Sequence, residues 1–151
     1  MGQVGRLART LRLHRRIALD TSIFIYHVER NPRYFSFTER VFSWIEREGN
    51  SAVTSTITLA ELLVPAYREG VQQTLADYRG LLKTHPTIRW IDADREVADL
   101  TARIRATYRL KTPDAIQVAT AIVGNATLLV TNDPEFKRVS EVESIVLEEL
   151  L

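Results

Sequence analysis

Four acidic residues, spread along the chain, are candidates for binding a divalent cation: Asp20, Glu61, Asp114 and Asp133. Taken singly, each has an ordinary explanation, because an Asp after a strand is often a turn residue and an acid suits the first turn of a helix. Together in one cleft, four carboxylates would repel one another unless a cation lay between them. Mg²⁺ and Mn²⁺ prefer carboxylate oxygen and water, and one or two such ions can activate water for in-line attack at phosphorus.

The elements that must position these acids predict a parallel α/β sheet. Short apolar runs at 17–19, 51–55, 88–91, 127–131 and 144–147 are the predicted strands, and segments with helical periodicity lie between them. The strands are continuously apolar, without an in-and-out alternation. This pattern is typical of a mainly parallel sheet that helices cover on both faces.

Several predicted helices carry start signals. Thr38 is a candidate N-cap for a helix that ends near Gly49, and Asp94 is one for the helix that follows the strand at 88–91. Thr112 is the candidate N-cap of the next helix, with Pro113 at the first position, where a missing N–H has no cost. That last helix is apolar on most sides, so we expect it to be central.

The helix around Glu61 has the clearest apolar pattern in the chain. Its apolar residues recur at helical spacing and form one stripe: Leu59, Leu62, Leu63, Ala66 and Tyr67. Glu61 lies about 200° around the helix from Leu59 and so faces away from the centre of that stripe. Its side chain is therefore free to point into a cleft.

The other three acids are predicted at one edge of the sheet. Asp20 directly follows the strand at 17–19, and Asp133 follows the strand at 127–131. Asp114 lies in the first turn of the helix that leads into the latter strand. Since sites in open parallel sheets lie beyond the carboxyl ends of the strands, we expect these acids to meet there.

The composition fits one globular domain of 151 residues. There is no cysteine, which excludes disulfides, zinc–thiolate sites and thiol nucleophiles and suits the reducing cytoplasm. No apolar run is long enough for a membrane span, and the basic N-terminus lacks the apolar run of a secretory signal. We therefore expect a cytoplasmic protein.

The charge is unevenly distributed. The net formal charge is +1, but the first sixteen residues contain five arginines and no acid, which leaves −4 for residues 17–151. A protein that binds nucleic acid through charge alone is usually basic throughout. If this chain handles nucleic acid, either a cation offsets the acids or the basic residues act locally.

Four segments, in order along the chain, resemble the PIN domain family and, within it, the toxin ribonucleases called VapC. They are Leu19-Asp20-Thr21-Ser22-Ile23, Thr58-Leu59-Ala60-Glu61-Leu62, Lys111-Thr112-Pro113-Asp114-Ala115-Ile116-Gln117-Val118-Ala119-Thr120-Ala121 and Thr131-Asn132-Asp133-Pro134-Glu135-Phe136. The third segment is the most specific. The resemblance covers residues 17–136, and the tail to 151 is similar to the closing strand of the family.

The resemblance implies a three-layer α/β/α sandwich that cleaves RNA with Mg²⁺ or Mn²⁺. It places the family's acids at Asp20, Glu61, Asp114 and Asp133, of which Glu61 either ligates the metal or orients the attacking water. It places the hydroxyls near the metal at Thr21 or Ser22, and at Thr131. Members of the toxin branch usually form homodimers and are inhibited by a small antitoxin, VapB, that binds promoter DNA and inserts a C-terminal segment into the cleft.

The domain predicted from this resemblance spans residues 17–151, and the basic arm 1–16 is additional. The arm is either disordered, an RNA-binding extension or a misassigned start. We expect disorder, because unanchored termini are usually mobile.

Basic residues near the acids are candidates for RNA contacts. Arg105 and Arg109 lie four apart on one predicted helix that leads toward Lys111, while Lys137 and Arg138 follow Asp133 closely. All five are as consistent with a solvated charged surface as with phosphate binding.

The remaining aromatic and imidazole side chains have ordinary predicted roles. His14, His27 and His85 lack the spacing of metal ligands and are interpreted as surface or packing residues. Trp44 and Trp90 lie in apolar elements, so we interpret both as core residues, not as stacking platforms.

Other α/β functions lack their motifs. The chain has neither a G-x-G-x-x-G nor a G-x-x-x-x-G-K-[ST] segment, which disfavours dinucleotide and P-loop sites. No second acid stands two residues after Asp20, as an aspartyl-phosphate hydrolase would need. Two alternatives to a toxin ribonuclease stay open: a housekeeping RNA-processing or structure-specific DNA nuclease, and a module that binds RNA or a partner without cleavage. Clustered acids disfavour the second of these.

Overall fold

Helices and strands alternate along the chain in the computed structural model, which describes residues 2–151 apart from the side chain of Leu82. The helices are α1 (Gln3–Leu11), α2 (Thr21–Val28), α3 (Phe35–Glu46), α4 (Thr56–Glu69), α5 (Gln72–Thr84), α6 (Arg95–Tyr108) and α7 (Thr112–Val123). The strands are β1 (Arg16–Leu19), β2 (Ser51–Ser55), β3 (Ile88–Ile91), β4 (Leu128–Thr131) and β5 (Glu143–Val146). Short 3₁₀ turns at Pro134–Arg138 and Leu147–Leu150 follow β4 and β5.

The five strands form one sheet in the order β3-β2-β1-β4-β5, and every neighbouring pair is parallel. Strand β1 is central, and its Leu19 pairs with Val130 of β4. Helices α1 to α5 pack on one face, and α6 and α7 pack on the other. The predicted three-layer α/β/α sandwich is therefore confirmed, and its sheet is parallel throughout.

Successive side chains of the central strands enter two different cores. Ile17 and Leu19 pack with the layer that contains α1 to α5, whereas Ala18 packs with the layer that contains α6 and α7. All three are buried. This period of two with both faces covered explains why the strands are continuously apolar. No helix within residues 2–151 combines the length and apolar composition needed to span a bilayer.

The expectation of a disordered N-terminal arm is wrong for residues 3–11, which form helix α1. Leu7 and Leu11 are completely buried and join the same core as α3. The two leucines lie four positions apart and so occupy one face of the helix, while Arg6 and Arg9 are exposed. The arginines suggest a solvated arm, whereas the two leucines anchor it.

The helix boundaries agree with the predicted ones to within a turn. Asp94 caps α6, with its Oδ1 accepting a hydrogen bond from the Val97 N–H at 3.0 Å. Helix α7 begins at Thr112, and its N-cap is Lys111, one residue before the predicted one. The N-cap predicted at Thr38 is wrong, because α3 already begins at Phe35 after a turn in which the Asn31 Oδ1 accepts from backbone N–H groups.

Helix α4 buries a different face from the one its apolar stripe predicted. Thr58, Leu62 and Ala66 are buried, whereas Tyr67 is 61% exposed. Leu59 and Leu63 are half-buried. The buried face is centred on a threonine because Thr58 joins a network of buried polar side chains.

Candidate metal centre

Two of the predicted acids lie at the carboxyl edge of the sheet, the edge at which the parallel strands end. Asp20 directly follows β1 and is the N-cap of α2, and its Oδ1 accepts a hydrogen bond from the Thr21 N–H at 2.8 Å. Asp133 comes two residues after the end of β4 and caps the following 3₁₀ turn, accepting from the Glu135 N–H at 2.9 Å. Since β1 and β4 are neighbours, both carboxylates are held at the same edge by local caps.

Hydroxyl groups from two elements fix the Asp20 carboxylate. Thr131 Oγ1 donates to Asp20 Oδ2 at 2.8 Å, and the Ser22 hydroxyl lies 3.5 Å from the same oxygen. Thr131 Oγ1 also accepts from the Asp133 N–H at 3.1 Å. One threonine at the end of β4 therefore links the two acids.

Burial dominates the ionisation of Asp20. It raises the pKa of this carboxyl to about 6, although the hydrogen bonds from Thr131 and from the Thr21 N–H lower it. The negative charges of Asp114 and Glu61 raise it further. Asp20 is thus an enclosed acid that a neighbouring positive charge would strongly favour in its ionised form.

Glu61 reaches the site from α4 through a hydroxyl contact. Thr21 Oγ1 donates to Glu61 Oε1 at 2.8 Å, which holds the exposed Glu61 beside the residue that follows Asp20. Glu61 also raises the pKa of Asp114 by charge repulsion. Hydrogen bonds through Thr131 and Thr21 thus place Asp20, Asp133 and Glu61 at one edge of the sheet.

A group of three neighbouring acids includes Glu135, which was not predicted, and does not include Asp20 or Glu61. Asp114, Asp133 and Glu135 each place a carboxylate oxygen so that the three atoms lie within 4.8 Å of one another. Glu135 follows Asp133 by two residues across Pro134, in a 3₁₀ turn. The spacing Asp-Pro-Glu at the end of a predicted strand was the available signal, because such a tight turn brings both side chains to one side.

The charge balance of this group suits a hard cation. Burial, followed by repulsion from Asp133 and Glu135, raises the pKa of Asp114. Lys111 lowers the same pKa but does not reverse the shift. The ligand atoms are all carboxylate oxygens, the donors that Mg²⁺ and Mn²⁺ prefer. These residues fit such an ion.

A buried polar network beneath the acids was also not predicted. Gln117 on α7 is 2% exposed, and its Nε2 donates to Thr58 Oγ1 at 2.7 Å and lies 3.4 Å from Thr21 Oγ1. The hydroxyls of Thr58 and Thr54 are 3.0 Å apart, and Thr54 Oγ1 also donates to the Leu19 carbonyl oxygen. The network ties α7, α4 and the end of β1 to the threonine that contacts Glu61.

Replacing Gln117 by Leu is expected to weaken metal binding more than it weakens the fold. The leucine fills a similar volume but removes the donor that fixes Thr58 and Thr21, so Glu61 loses its alignment. Loss of such an outer contact typically lowers metal affinity about tenfold or more. Titration of Mn²⁺ by calorimetry measures this loss, with Gln72→Leu, at the exposed first position of α5, as the matched control. If both variants bind Mn²⁺ with equal affinity, Gln117 does not position the residues of the metal site.

The five predicted RNA contacts have different surroundings. Lys111 precedes α7 and acts electrostatically on Asp114, and Arg105 donates to the Thr112 hydroxyl. Lys137 forms a salt bridge with Glu149 at 2.8 Å, and Arg138 forms one with Glu135 at 3.4 Å. Arg109 ends α6 in the left-handed conformation. Their contact with RNA stays a prediction.

The histidines and tryptophans occupy packing positions. His14 and His85 are buried, and His27 stacks on Phe42 with ring centroids 4.2 Å apart. Trp44 is 4% exposed, and the half-buried Trp90 packs against Phe24. These predicted packing roles are confirmed.

One protein-family model and several solved structures match this chain. The PIN domain family model matches residues 17–142. No curated protein sequence matches the chain at a significant level.

Solved structures share the fold. VapBC2 from Rickettsia felis, bound to a DNA fragment from its promoter, has 22% sequence identity and a TM-score of 0.69, with 87% of this chain and 98% of that chain covered. A toxin–antitoxin complex from Klebsiella pneumoniae has 23% identity and a TM-score of 0.67, with 87% and 97% covered.

A more distant structure, the sarcin–ricin loop cleaving toxin VapC20 from Mycobacterium tuberculosis, has 13% identity and a TM-score of 0.60, with 75% and 86% covered. The family match spans most of the chain and includes all four acids predicted from the sequence. This chain therefore belongs to the PIN domain family.

Proposed function

We propose that this protein is a metal-dependent endoribonuclease and the toxin of a toxin–antitoxin pair. The observation that carries the proposal is the meeting of carboxylate oxygens from Asp114, Asp133 and Glu135 within 4.8 Å, at the edge where Asp20 is held. Such a cluster disfavours RNA binding on its own, because an RNA backbone is also negative. It favours one or two bound Mg²⁺ or Mn²⁺ ions.

In this proposal Asp20, Asp114 and Asp133 hold the metal directly or through water, and Glu135 adds a fourth carboxylate. The bound ion would supply an activated water and neutralise charge developing on the phosphate. Glu61 would either ligate the metal or orient the attacking water.

The hydroxyl groups have positioning roles. Thr131 fixes the direction of the Asp20 carboxylate, and Thr21 fixes that of Glu61. Ser22 lies beside Asp20 as a weaker contact. Lys111, together with Arg105, Arg109, Lys137 and Arg138, would contact RNA phosphates near the same edge.

The proposed partners follow from the family and from the structural neighbours. Two of those neighbours are toxin–antitoxin assemblies, so we propose a small VapB-like antitoxin and a homodimeric toxin in the cytoplasm. A housekeeping RNA-processing nuclease is the second candidate, since the same acids would serve it. A short neighbouring reading frame with a DNA-binding N-terminus favours the toxin.

The test uses the purified full chain, free of antitoxin, and a mixed small-RNA pool. With Mg²⁺ or Mn²⁺ we expect discrete cuts, and with EDTA we expect none. Asp114→Asn keeps the size of the side chain but removes a negative ligand, so this variant should not cut the RNAs that the wild type cuts. Asp99→Asn, an exposed Asp on α6, is the matched control and should cut normally.

Sequencing the cut ends identifies the substrate. Cleavage that persists in EDTA, or that Asp114→Asn leaves unchanged, would show that the metal centre does not perform the reaction. Intact RNA under every ion, together with RNA binding by the wild type, would favour the binding module instead.

A further inference from the structure

A cleft between α1 and α3 is lined by three arginines and by no acid. It has a volume of about 290 Å³ and is lined by Gly5, Ala8, Leu11, Arg12, Arg40, Trp44 and Arg47. We call it the arginine cleft. Arg12, Arg40 and Arg47 are all exposed, and within residues 2–151 none of them forms a salt bridge. Three guanidinium groups therefore share one concavity without a neutralising side chain.

The acids of α3 do not cancel this charge. Glu46 is directed toward His85, with the Glu46 carboxylate 3.5 Å from the imidazole. Glu39 lines the adjoining depression together with Arg40, and within residues 2–151 it forms no salt bridge with that arginine. On α1, Arg9 adds one more exposed positive charge, whereas Arg6 lines a different depression beside Glu143 and Glu149. The surface around the cleft is thus locally basic, although the body of the protein is mildly acidic.

Guanidinium groups gathered in this way match a phosphate ligand. The planar fork of an arginine donates two parallel hydrogen bonds to phosphate oxygens, and several forks in one concavity can hold adjacent phosphates. Trp44 is 4% exposed and lies at the base of the cleft, so its ring face does not offer a platform for a base. The chemistry favours a sugar–phosphate backbone over base recognition.

We propose that the arginine cleft is a second RNA-binding site, which holds the phosphodiester backbone of a folded RNA away from the bond that is cut. The inference rests on the proposed function, which makes RNA the polyanion. Helix α1 lies before residue 17, where the family match begins, so this site is built partly from an element that the family domain does not include.

The arginine cleft lies away from the predicted acids. Arg12 and Arg47 are the C-caps of α1 and α3, which lead into the first residues of β1 and β2. They therefore lie toward the opposite edge of the sheet from Asp20 and Asp133. A strand of four residues is about 13 Å long, so an RNA that binds both sites must extend over at least that distance.

The test measures RNA binding by the full chain in EDTA, where cleavage does not interfere. Two probes are compared across a salt series: a transfer RNA mixture and a single-stranded RNA hexamer. The variant Arg12→Gln/Arg40→Gln/Arg47→Gln should bind the transfer RNA at least about tenfold more weakly than the wild type at moderate salt. The slope of its binding constant against salt concentration should fall by about 1 for each phosphate that an arginine no longer neutralises. Hexamer binding should also weaken, but by a smaller factor, because a hexamer places fewer phosphates on the basic surface than a folded RNA does.

The control variant removes the same charge elsewhere. Arg68→Gln/Arg89→Gln/Arg95→Gln changes three exposed arginines outside the cleft and should bind transfer RNA within about twofold of the wild type. Because all six arginines are exposed, both variants should keep the wild-type melting temperature.

Three results would overturn the inference. Equal loss of transfer RNA binding in both triple variants would show that only net charge matters. Equal fold-losses for hexamer and transfer RNA would show that the cleft binds any short single strand and does not favour a folded RNA. Binding of vesicles of acidic phospholipid, with no transfer RNA binding, would assign the cleft to a membrane surface. If the wild type cleaves no RNA but the cleft variant still binds transfer RNA more weakly than the wild type, the proposed nuclease activity is rejected and the arginine cleft is retained as an RNA-binding site.

Discussion

Replacing Asp20 by Asn is expected to stabilise the metal-free protein at pH 7 and to abolish the proposed metal-dependent RNA cleavage. Burial raises the pKa of Asp20 from 3.8 to about 6, so the folded protein favours the neutral carboxyl. At pH 7 the buried carboxylate destabilises the fold by about 3 kcal/mol. Asn is neutral, its Oδ1 can still accept from the Thr21 N–H, and its Nδ2 can donate to the Thr131 hydroxyl oxygen in place of the bond that this hydroxyl donated. Because one of the two original bonds is replaced and not kept, we expect a net gain of about 2 kcal/mol.

The sign of the pH dependence follows from the raised pKa. Below about pH 4 the carboxyl of Asp20 is protonated in both the folded and the unfolded chain, and Asn gives no advantage. Between about pH 4 and pH 6 the wild type loses stability as the pH rises, because only the unfolded chain readily releases this proton. Above about pH 6 the difference in the free energy of unfolding between Asp20→Asn and the wild type reaches its full value.

Thermal unfolding of the metal-free proteins at pH 4 and pH 7 measures this effect. At pH 7 the melting temperature of Asp20→Asn should exceed that of the wild type by about 4–8 °C, and Asp99→Asn should leave it unchanged. Mn²⁺ should raise the melting temperature of the wild type more than that of Asp20→Asn. A less stable Asp20→Asn at pH 7 would mean that Asp20 serves the fold and not a cation.

The sheet and the acids could be predicted because local patterns determine them. Continuous apolar strands require a covered parallel sheet, and an acid that directly follows such a strand must lie at its carboxyl edge. Asp20 and Asp133 satisfy this rule, and their own capping hydrogen bonds hold them there. No long-range information is needed to place either residue.

Other features depend on contacts between distant segments. Gln117 lies in an apolar helix where a polar residue has no local explanation, and its partner Thr58 is 59 positions away. Glu135 looks like an ordinary solvated acid until a 3₁₀ turn brings it to Asp114. The buried face of α4 also depends on distant contacts. The hydrogen bonds of Thr58 turn that residue toward the core, and Tyr67 of the apolar stripe is left exposed.

The N-terminal segment illustrates how charge can conceal an anchor. The five arginines of residues 1–16 suggest a solvated arm, although Val4, Leu7, Ala8 and Leu11 recur at i, i+3, i+4 and i+7, the spacing of an amphipathic helix. Leu7 and Leu11 are buried in a groove that α3 and the last 3₁₀ turn provide. The sequence therefore carries the pattern of α1, and the arginine content alone led to the wrong expectation.

The double variant Leu7→Ala/Leu11→Ala is expected to remove much of the stability of this domain. Both side chains are completely buried, and a buried Leu→Ala change usually costs about 2–5 kcal/mol, so the pair should cost about 5 kcal/mol or more. That is a large part of the roughly 5–15 kcal/mol that stabilises an ordinary domain. The melting temperature should fall by about 10–20 °C.

Leu13→Ala is the matched control for this prediction, since Leu13 is 81% exposed and its loss should change the free energy of unfolding by less than about 0.5 kcal/mol. The double variant keeps every arginine of α1, so it separates packing from charge. If α1 is part of the core, the variant should also lose the arginine cleft, and its transfer RNA binding should fall even though its net charge is unchanged. A double variant that melts with the wild type would show that α1 rests on the domain without stabilising it.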